Sequence, residues 1–282
     1  MTPRRLLRDW QLVLPLALFF AVFVFLPLAL LGYVSLHDDM EIKTQGFAQY
    51  RKFFLDGFNL GVLASTLWLA AKTTLLALVI GYPLAYLYTL APQKLQRVMI
   101  LLIVLPLLTS AVVRTFAWVV ILGRQGIVNT LFFSFDWIET PLKLLYTPAA
   151  VTVALAQIEM PLMVLPLITA LSNIDPNLRQ ASQVLGAGSW RTFFQVTLPL
   201  SIPGLLAGCL LVFAAAASAF VTQTLVGGGQ LIFMPFYIYQ QAIQVNNYPF
   251  AATIAMALLV SVLVIVTAAN FFGRRSKGFV HA

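Results

Sequence analysis

Between Arg191 and Arg274 the chain carries no charged residue. A fold that meets water on its outside cannot be made from such a stretch, because its surface would have nothing to solvate it. The whole chain repeats the pattern. Of 282 residues 61% are hydrophobic and 9% charged, against roughly 25% charged in an ordinary soluble domain. Most of the surface must therefore face lipid. The apolar runs are long enough for helices, which satisfy every backbone donor and acceptor within one segment. An all-α polytopic membrane protein follows.

A helix crossing about 30 Å of hydrocarbon needs about 20 apolar residues. Six segments qualify, approximately Leu12–Tyr33, Val62–Leu90, Val98–Ile121, Pro148–Ala170, Pro203–Val226 and Phe250–Phe272. No internal repeat or linker divides residues 1–282, so one transmembrane domain is expected. Its core covers approximately 61–272, preceded by an extra N-terminal span at 12–33. That first span is too long for a signal-peptide core and no small-residue cleavage pattern follows it, so it is expected to be retained.

Six spans place the N-terminus, two loops and the C-terminus on one side. That side collects Arg4, Arg5, Arg8, Lys94, Arg97, Arg179, Arg191, Arg274, Arg275 and Lys277 against Asp9 and Asp175. The other side holds Lys43, Arg51, Lys52, Arg124 and Lys143 against Asp38, Asp39, Glu41, Asp56, Asp136 and Glu139. The positive-inside rule puts both termini in the cytoplasm. The net charge of +8 is thus a topology signal and gives no reason to expect nucleic acid. Lone Cys209 excludes an intrachain disulfide and a multi-cysteine metal site. His37 and His281, the two histidines, both fall outside the spans, so a haem held within the bundle is not expected. No phosphate loop or nucleophile–base pattern marks an enzyme.

Three charges remain inside spans. Lys72 and Glu159 are expected about 15–18 Å deep, near the midplane, whereas Arg114 lies close enough to the outer surface to snorkel. A charge at the midplane costs at least ~2.5 kcal/mol on insertion scales and needs a partner or a wet cavity. Two readings of the deep charges stand: a Lys72–Glu159 pair that neutralises itself, or a Glu159 that lines a transport pathway and meets a cation.

The most polar run of the second half is LRQASQVLGAGSWRTFFQVTLPLSIPG, residues 178–204. Asp175-Pro176 ends the fourth span, since proline disfavours helix at the residue before it. Asp175 can then cap a short helix starting at Pro176. Leu178, Ala181 and Leu185 share one face of that helix, and Gly186 and Gly188 end it. Such a segment either lies passively on lipid or presents a knob to a partner on the side that holds ATP. On the opposite side, the run Gly227–Gly229 suits a loop that bends, and the aromatic segment behind it fits an interfacial belt.

The spacing Gln180-Ala181-Ser182-x3-Gly186-x9-Val196-x-Leu198-Pro199 resembles the E-A-A-x3-G-x9-I-x-L-P loop of permease subunits of binding-protein-dependent ABC importers. VVRTFAWVVILGRQGIVNTLF (112–132), GYPLAYLYTLAP (81–92), LYTPAAVTVAL (145–155), MPLMVLPL (160–167) and GGGQ (227–230) extend the likeness to the spermidine/putrescine-type permeases, in particular the first of their two paralogous subunits. The resemblance implies the type I importer permease fold, with a cytoplasmic coupling helix between the fourth and fifth spans. Gln180, Ala181, Ser182, Gly186, Leu198 and Pro199 would meet the ATPase. It also implies a paralogous permease, two ATPase subunits and a periplasmic or lipoprotein receptor as partners in a bacterial inner membrane. ATP and magnesium would sit on the ATPase, with no cofactor on this chain. The solute would be a polyamine or related amino compound. Two positions depart from the pattern: Gln180 replaces a glutamate and Ser182 an alanine, so the charge-assisted contact of that glutamate is absent. An ATP-independent channel or secondary transporter is the alternative, although inverted-repeat carriers show a symmetry missing here.

Overall fold

The computed structural model describes residues 14–39 and 43–275, and among them the architecture is helical throughout. Arg4, Arg5, Arg8, Asp9, Glu41, Lys277, His281 and the start of the first span at Leu12 lie outside the described residues. Contacts divide the chain into two compact units, Met1–Gly61 with Tyr237–Val260, and Val62–Phe236 with Ser261–Ala282.

In the first unit, α1 (Leu14–Ser35) contains a π-helical turn at Ala21–Phe25, and none of its most apolar window is buried. Its bare leucines and phenylalanines suit lipid or another helix, not water. The turn behind it is held by polar bonds. Ser35 Oγ donates to Gly32 O at 2.7 Å and lies 2.8 Å from Tyr50 Oη. The Asp38 carboxylate accepts the Ala48 N–H at 2.8 Å, at the start of α2 (Ala48–Leu55). Phe53 of α2 is fully buried, and Lys52 Nζ lies 4.4 Å from the centre of the Phe250 ring. Tyr237 Oη donates to Asn59 Oδ1 at 2.9 Å.

The long helix α3 (Gly57–Leu90) has 34 residues, about 51 Å at the α-helical rise, and so exceeds the hydrocarbon thickness. Next come α4 (Gln93–Val104), a 3-10 turn at Leu105–Leu108, α5 (Ala111–Leu122) and α6 (Ile127–Ser134). Then come α7 (Pro148–Ile158), α8 (Met160–Ser172) and α9 (Pro176–Val184). Last are α10 (Ser189–Ser218), α11 (Phe220–Gly227), α12 (Met234–Tyr239) and α13 (Tyr248–Arg275).

Among the described residues five helical segments are long and apolar enough to cross a membrane, and the bent pair α7–α8 makes a sixth if it is one span. With that pair as one span the count matches the sequence expectation, but the second span starts earlier and the third and fifth are displaced. The expected third span, Val98–Ile121, is interrupted by the 3-10 turn around Pro106 and an extended Thr109. Pro106 removes one helical donor. The chain restarts at α5, where Ser110 Oγ accepts the Val112 N–H at 3.3 Å. The apolar segment long enough to cross is therefore Ala111–Ser134, α5 followed by α6. The expected fifth span, Pro203–Val226, instead starts at Ser189 and stops at Ser218, where Ala219 leaves helical geometry (φ −72°, ψ 79°). A π turn at Phe193–Thr197 carries the helix into Leu198-Pro199, where the proline, inside α10, has no backbone N–H to donate.

The second unit is organised by the seam between α8 and α10. Ala77, Ala156, Met163, Val164, Leu167 and Val212 form its buried centre. Gly204 and Gly208 are spaced as Gly-x-x-x-Gly, the small-residue pattern that lets membrane helices approach to backbone contact. A Cβ on Gly204 would lie 2.6 Å from Pro166 O and would collide with Ala170 Cβ; one on Gly208 would lie 2.9 Å from Met163 O. Buried polar side chains add bonds across the bundle. Tyr82 Oη lies 2.9 Å from Ser201 Oγ, and Thr115 Oγ1 lies 2.9 Å from Thr222 Oγ1.

Candidate functional site

Two places in the second unit collect chemistry. The first is the break between α7 and α8 at Glu159, where the axis bends by 46°. Pro161 causes it, since it has no N–H to return to the Gln157 carbonyl. Leu162 N–H turns to Glu159 O at 3.0 Å, three residues back instead of four. The Ile158 carbonyl loses its helical donor in this way. Arg114 Nη1 reaches it from α5 at 2.8 Å. Arg114 therefore does not snorkel outward as expected; it closes the hydrogen-bond gap that the broken helix opens.

Beside it Trp118 Nε1 donates to Gln157 Oε1 at 3.0 Å. Arg114 is also the charged group that acts on Glu159. A cavity of about 230 Å³ opens alongside, lined by Leu84, Met99, Ile103, Pro106, Gln157 and Met160. Gln157 and Glu159 are not sealed in the core: Gln157 is exposed and Glu159 half-buried. Broken helices with polar side chains occur at membrane depth only where protein or a water-filled cavity covers them.

Lys72 is elsewhere. It lines a separate cavity of about 320 Å³ that reaches Pro148, the first residue of α7. Glu159 caps the other end of α7, about 16 Å away at the helical rise. The structure does not bring Lys72 and Glu159 together. Depth counted from each helix's own start makes the two level, but the starts are not: Lys72, well inside α3, lines a cavity with the first residue of α7.

The second place is the loop between α8 and α10. Asp175 caps α9 by accepting the Asn177 N–H at 2.9 Å. At the other end Gly186 has φ +83°, a left-handed conformation that glycine adopts without strain. It allows the Gly186 N–H to reach Gln183 O at 2.9 Å and the Ala187 N–H to reach Ser182 O at 3.0 Å, the paired bonds of a Schellman stop. No residue of α9 is buried. Gln180 and Ala181 face outward, and Val184, Leu185 and Trp190 are 87%, 86% and 77% exposed. Leu198 and Pro199 sit half-buried at the π-to-α transition, and Leu198 packs on the α8–α10 core.

Ser182, one of the two departures, is the tie within this loop. Its Oγ lies 2.6 Å from Thr192 Oγ1 and donates to Arg179 O at 3.2 Å. An alanine there could make neither bond. Arg179 ties the loop to α3, with its guanidinium 5.6 Å from the Tyr86 ring centre. Tyr82 and Tyr86 in turn meet the Phe193 ring edge-on, with centroids 5.7 and 5.4 Å away.

Sequence reasoning did not pick out Trp118, Gln157 or the role of Arg114. Pro161, two residues after Glu159, was the available signal for a break. Nothing in the sequence indicates that α5 would run beside it. It also passed over Asn129, which is fully buried. Its amide donates to Gly123 O at 3.0 Å and Leu142 O at 3.1 Å and accepts the Leu142 N–H at 2.9 Å.

Residues 74–277 match the family model described as binding-protein-dependent transport system inner membrane component. The spermidine/putrescine transport system permease protein PotB of Escherichia coli (strain K12) is 32% identical over 243 residues, covering 85% of this chain and 88% of that one. Its namesake in Haemophilus influenzae is 32% identical over 205 residues, 73% of this chain and 72% of the other. A chain of a bacterial alginate ABC transporter, solved with an alginate pentasaccharide-bound periplasmic protein, superposes with a TM-score of 0.78 at 21% identity, covering 96% of each chain. A chain of an amino acid ABC transporter solved with histidines gives 0.55 at 17% identity, over 81% of this chain and 96% of that one.

Proposed function

The chain belongs to the inner membrane components of binding-protein-dependent transport systems, and we propose that within that family it carries a small amine-containing solute. As a multi-pass inner-membrane permease of an ABC importer, it supplies the translocation pathway, while ATP hydrolysis and solute capture belong to ATPase and solute-binding partners.

The observation that carries the solute reading is the opened helix at Glu159. Glu159 stands at the bend, and two residues before it Gln157 lines a cavity and accepts the Trp118 ring N–H. An ammonium group suits all three, by charge, by hydrogen bond and by attraction to the indole face. The 32% identity to spermidine/putrescine permeases points the same way. Arg114 donates to the Ile158 carbonyl at the bend and keeps its charge. In this reading the α9 loop faces the cytoplasm with both termini. Gln180, Ala181, Ser182 and Gly186 dock in the ATPase, and Leu198-Pro199 begins the rigid lever of α10. A paralogous permease completes the pathway, two ATPase subunits drive it and a receptor delivers the solute.

The test is uptake of labelled amine into proteoliposomes holding the permeases and ATPase, with loaded receptor outside and ATP inside. Replacing Glu159 by Gln removes a charge-assisted interaction of about 1.5–3 kcal/mol, so uptake should fall about 10- to 100-fold. Unchanged amine uptake by Glu159→Gln would remove Glu159 from the pathway. Solute flux through this chain alone, without ATPase or ATP, would replace the importer reading with a channel.

A further inference from the structure

Lys72 stands in the second unit with no use in the site above. Its ammonium has no acid and no hydrogen-bond acceptor among the described residues, and it lies 5.9 Å from the centre of the Trp68 ring. It opens on the cavity of about 320 Å³. The Gln230 side chain, which is exposed, lines the same cavity. The remaining walls include Ser65, Leu69, Pro148 and Phe233. A cation and an amide donor thus share one small, mainly apolar cleft at the Pro148 end of α7, with Trp68 and Gln230 exposed at its rim. Glu159 does not answer it, being a helix length away at the other end of α7.

We propose that this cavity binds the carboxylate of a short aliphatic solute, making the cargo an amino acid-type zwitterion and not a diamine. The proposal rests on the amine reading above and narrows it. Lys72 supplies the charge, the Gln230 amide a second donor, and Leu69, Phe233 and Trp68 cover the methylenes. The volume lies at the lower end of ligand pockets, about 300–1,000 Å³, so it suits a small solute. A single acidic side chain of a docked receptor would leave most of it empty. A diamine would meet like charge there without compensation. The cavity lies near Pro148 and the amine site at Glu159, so a short solute meets the carboxylate site and the amine site in succession.

5-Aminovalerate and putrescine share a four-carbon chain and differ in having a carboxylate or an amine at one end. In the complete reconstituted complex, uptake of 5-aminovalerate relative to putrescine should fall about tenfold in Lys72→Met, the loss of one charge-assisted contact. Lys72→Arg should keep most of the ratio. A binding readout independent of transport is acetic anhydride labelling of Lys72 in the purified complex, read by mass spectrometry. 5-Aminovalerate should protect Lys72 and putrescine should not. An unchanged uptake ratio in Lys72→Met, or equal protection by putrescine, overturns the proposal. Protection by solute-free receptor or by anionic lipid nanodiscs overturns it too, assigning the lysine to docking or to a headgroup. If the wild-type complex imports neither solute while 5-aminovalerate still protects Lys72, the amine-transport reading fails and the carboxylate site stands.

Discussion

Replacing Gly204 by alanine should destabilise the protein, while the same replacement at Gly61 should stabilise it. Both glycines lie inside helices, α10 and α3. A Cβ at Gly61 meets nothing within 4 Å, whereas at Gly204 it lies 2.6 Å from the Pro166 carbonyl oxygen and collides with Ala170 Cβ. Backbone and a small side chain cannot swing aside, so α10 must retreat. Ordinary contact begins at 3.4 Å; moving from 2.6 to 3.4 Å opens the seam by about 0.8 Å. A gap of that size forfeits roughly a quarter to a half of a contact worth about 0.1–0.2 kcal/mol. Over roughly fifty atom pairs, the contact set of about one buried leucine, the loss is about 1–5 kcal/mol. That agrees with the usual cost of overpacking, about 1–3 kcal/mol. At Gly61 the alanine gains about 0.5–1 kcal/mol of helix propensity. The assay is thermal unfolding of the detergent-purified complex, followed by tryptophan fluorescence for the wild type and both variants. The two midpoints should move in opposite directions. A Gly204→Ala protein at least as stable as Gly61→Ala would refute the close-packed seam. Since α10 begins in the α9–α10 loop, Gly204→Ala should also lower ATP-driven uptake beyond its effect on folding yield.

Ser182→Ala restores the family residue but removes the bond to Thr192; uptake per ATP hydrolysed should fall by a few-fold, for one hydrogen bond worth about 0.5–1.5 kcal/mol, while the permease–ATPase complex still purifies intact. Gln180→Glu should strengthen that complex at low salt, with the gain shrinking as ionic strength rises; a salt-independent affinity would count against a charged contact. Asn129→Ala breaks three bonds at a fully buried site and should cost about 2–4 kcal/mol, read as a lower unfolding midpoint and faster proteolysis between residues 135 and 146. Glu159→Gln and Lys72→Met complete the set, and the two should affect different ends of the solute.

The local rules worked wherever one element decides the outcome by itself. Charge sparsity gave a membrane protein, and apolar run length gave six crossings. Asp175-Pro176 and Gly186 bounded α9 within a residue of where its capping bonds lie. These features depend on solvation and on bonds between near neighbours in the chain, which a sequence displays directly. Breaks inside apolar runs were harder to read, since prolines recur along them and neighbouring helices decide which one interrupts the hydrogen bonding. Pro106 breaks its run; Pro83 is carried inside α3.

The site belongs to the tertiary structure. Arg114 looked like a residue that would reach for water, but α5 lies against α7 and the Ile158 carbonyl is nearer and unsatisfied. Lys72 and Glu159 looked like a pair because both are charged and seemed equally deep, yet they mark opposite ends of one helix. Ser182 read as a lost alanine until Thr192, ten residues on, came within 2.6 Å. The sequence states which groups cannot be left alone in a membrane. Which neighbour answers each depends on how the helices are offset and turned against one another, and that is set by packing along seams such as Gly204–Gly208.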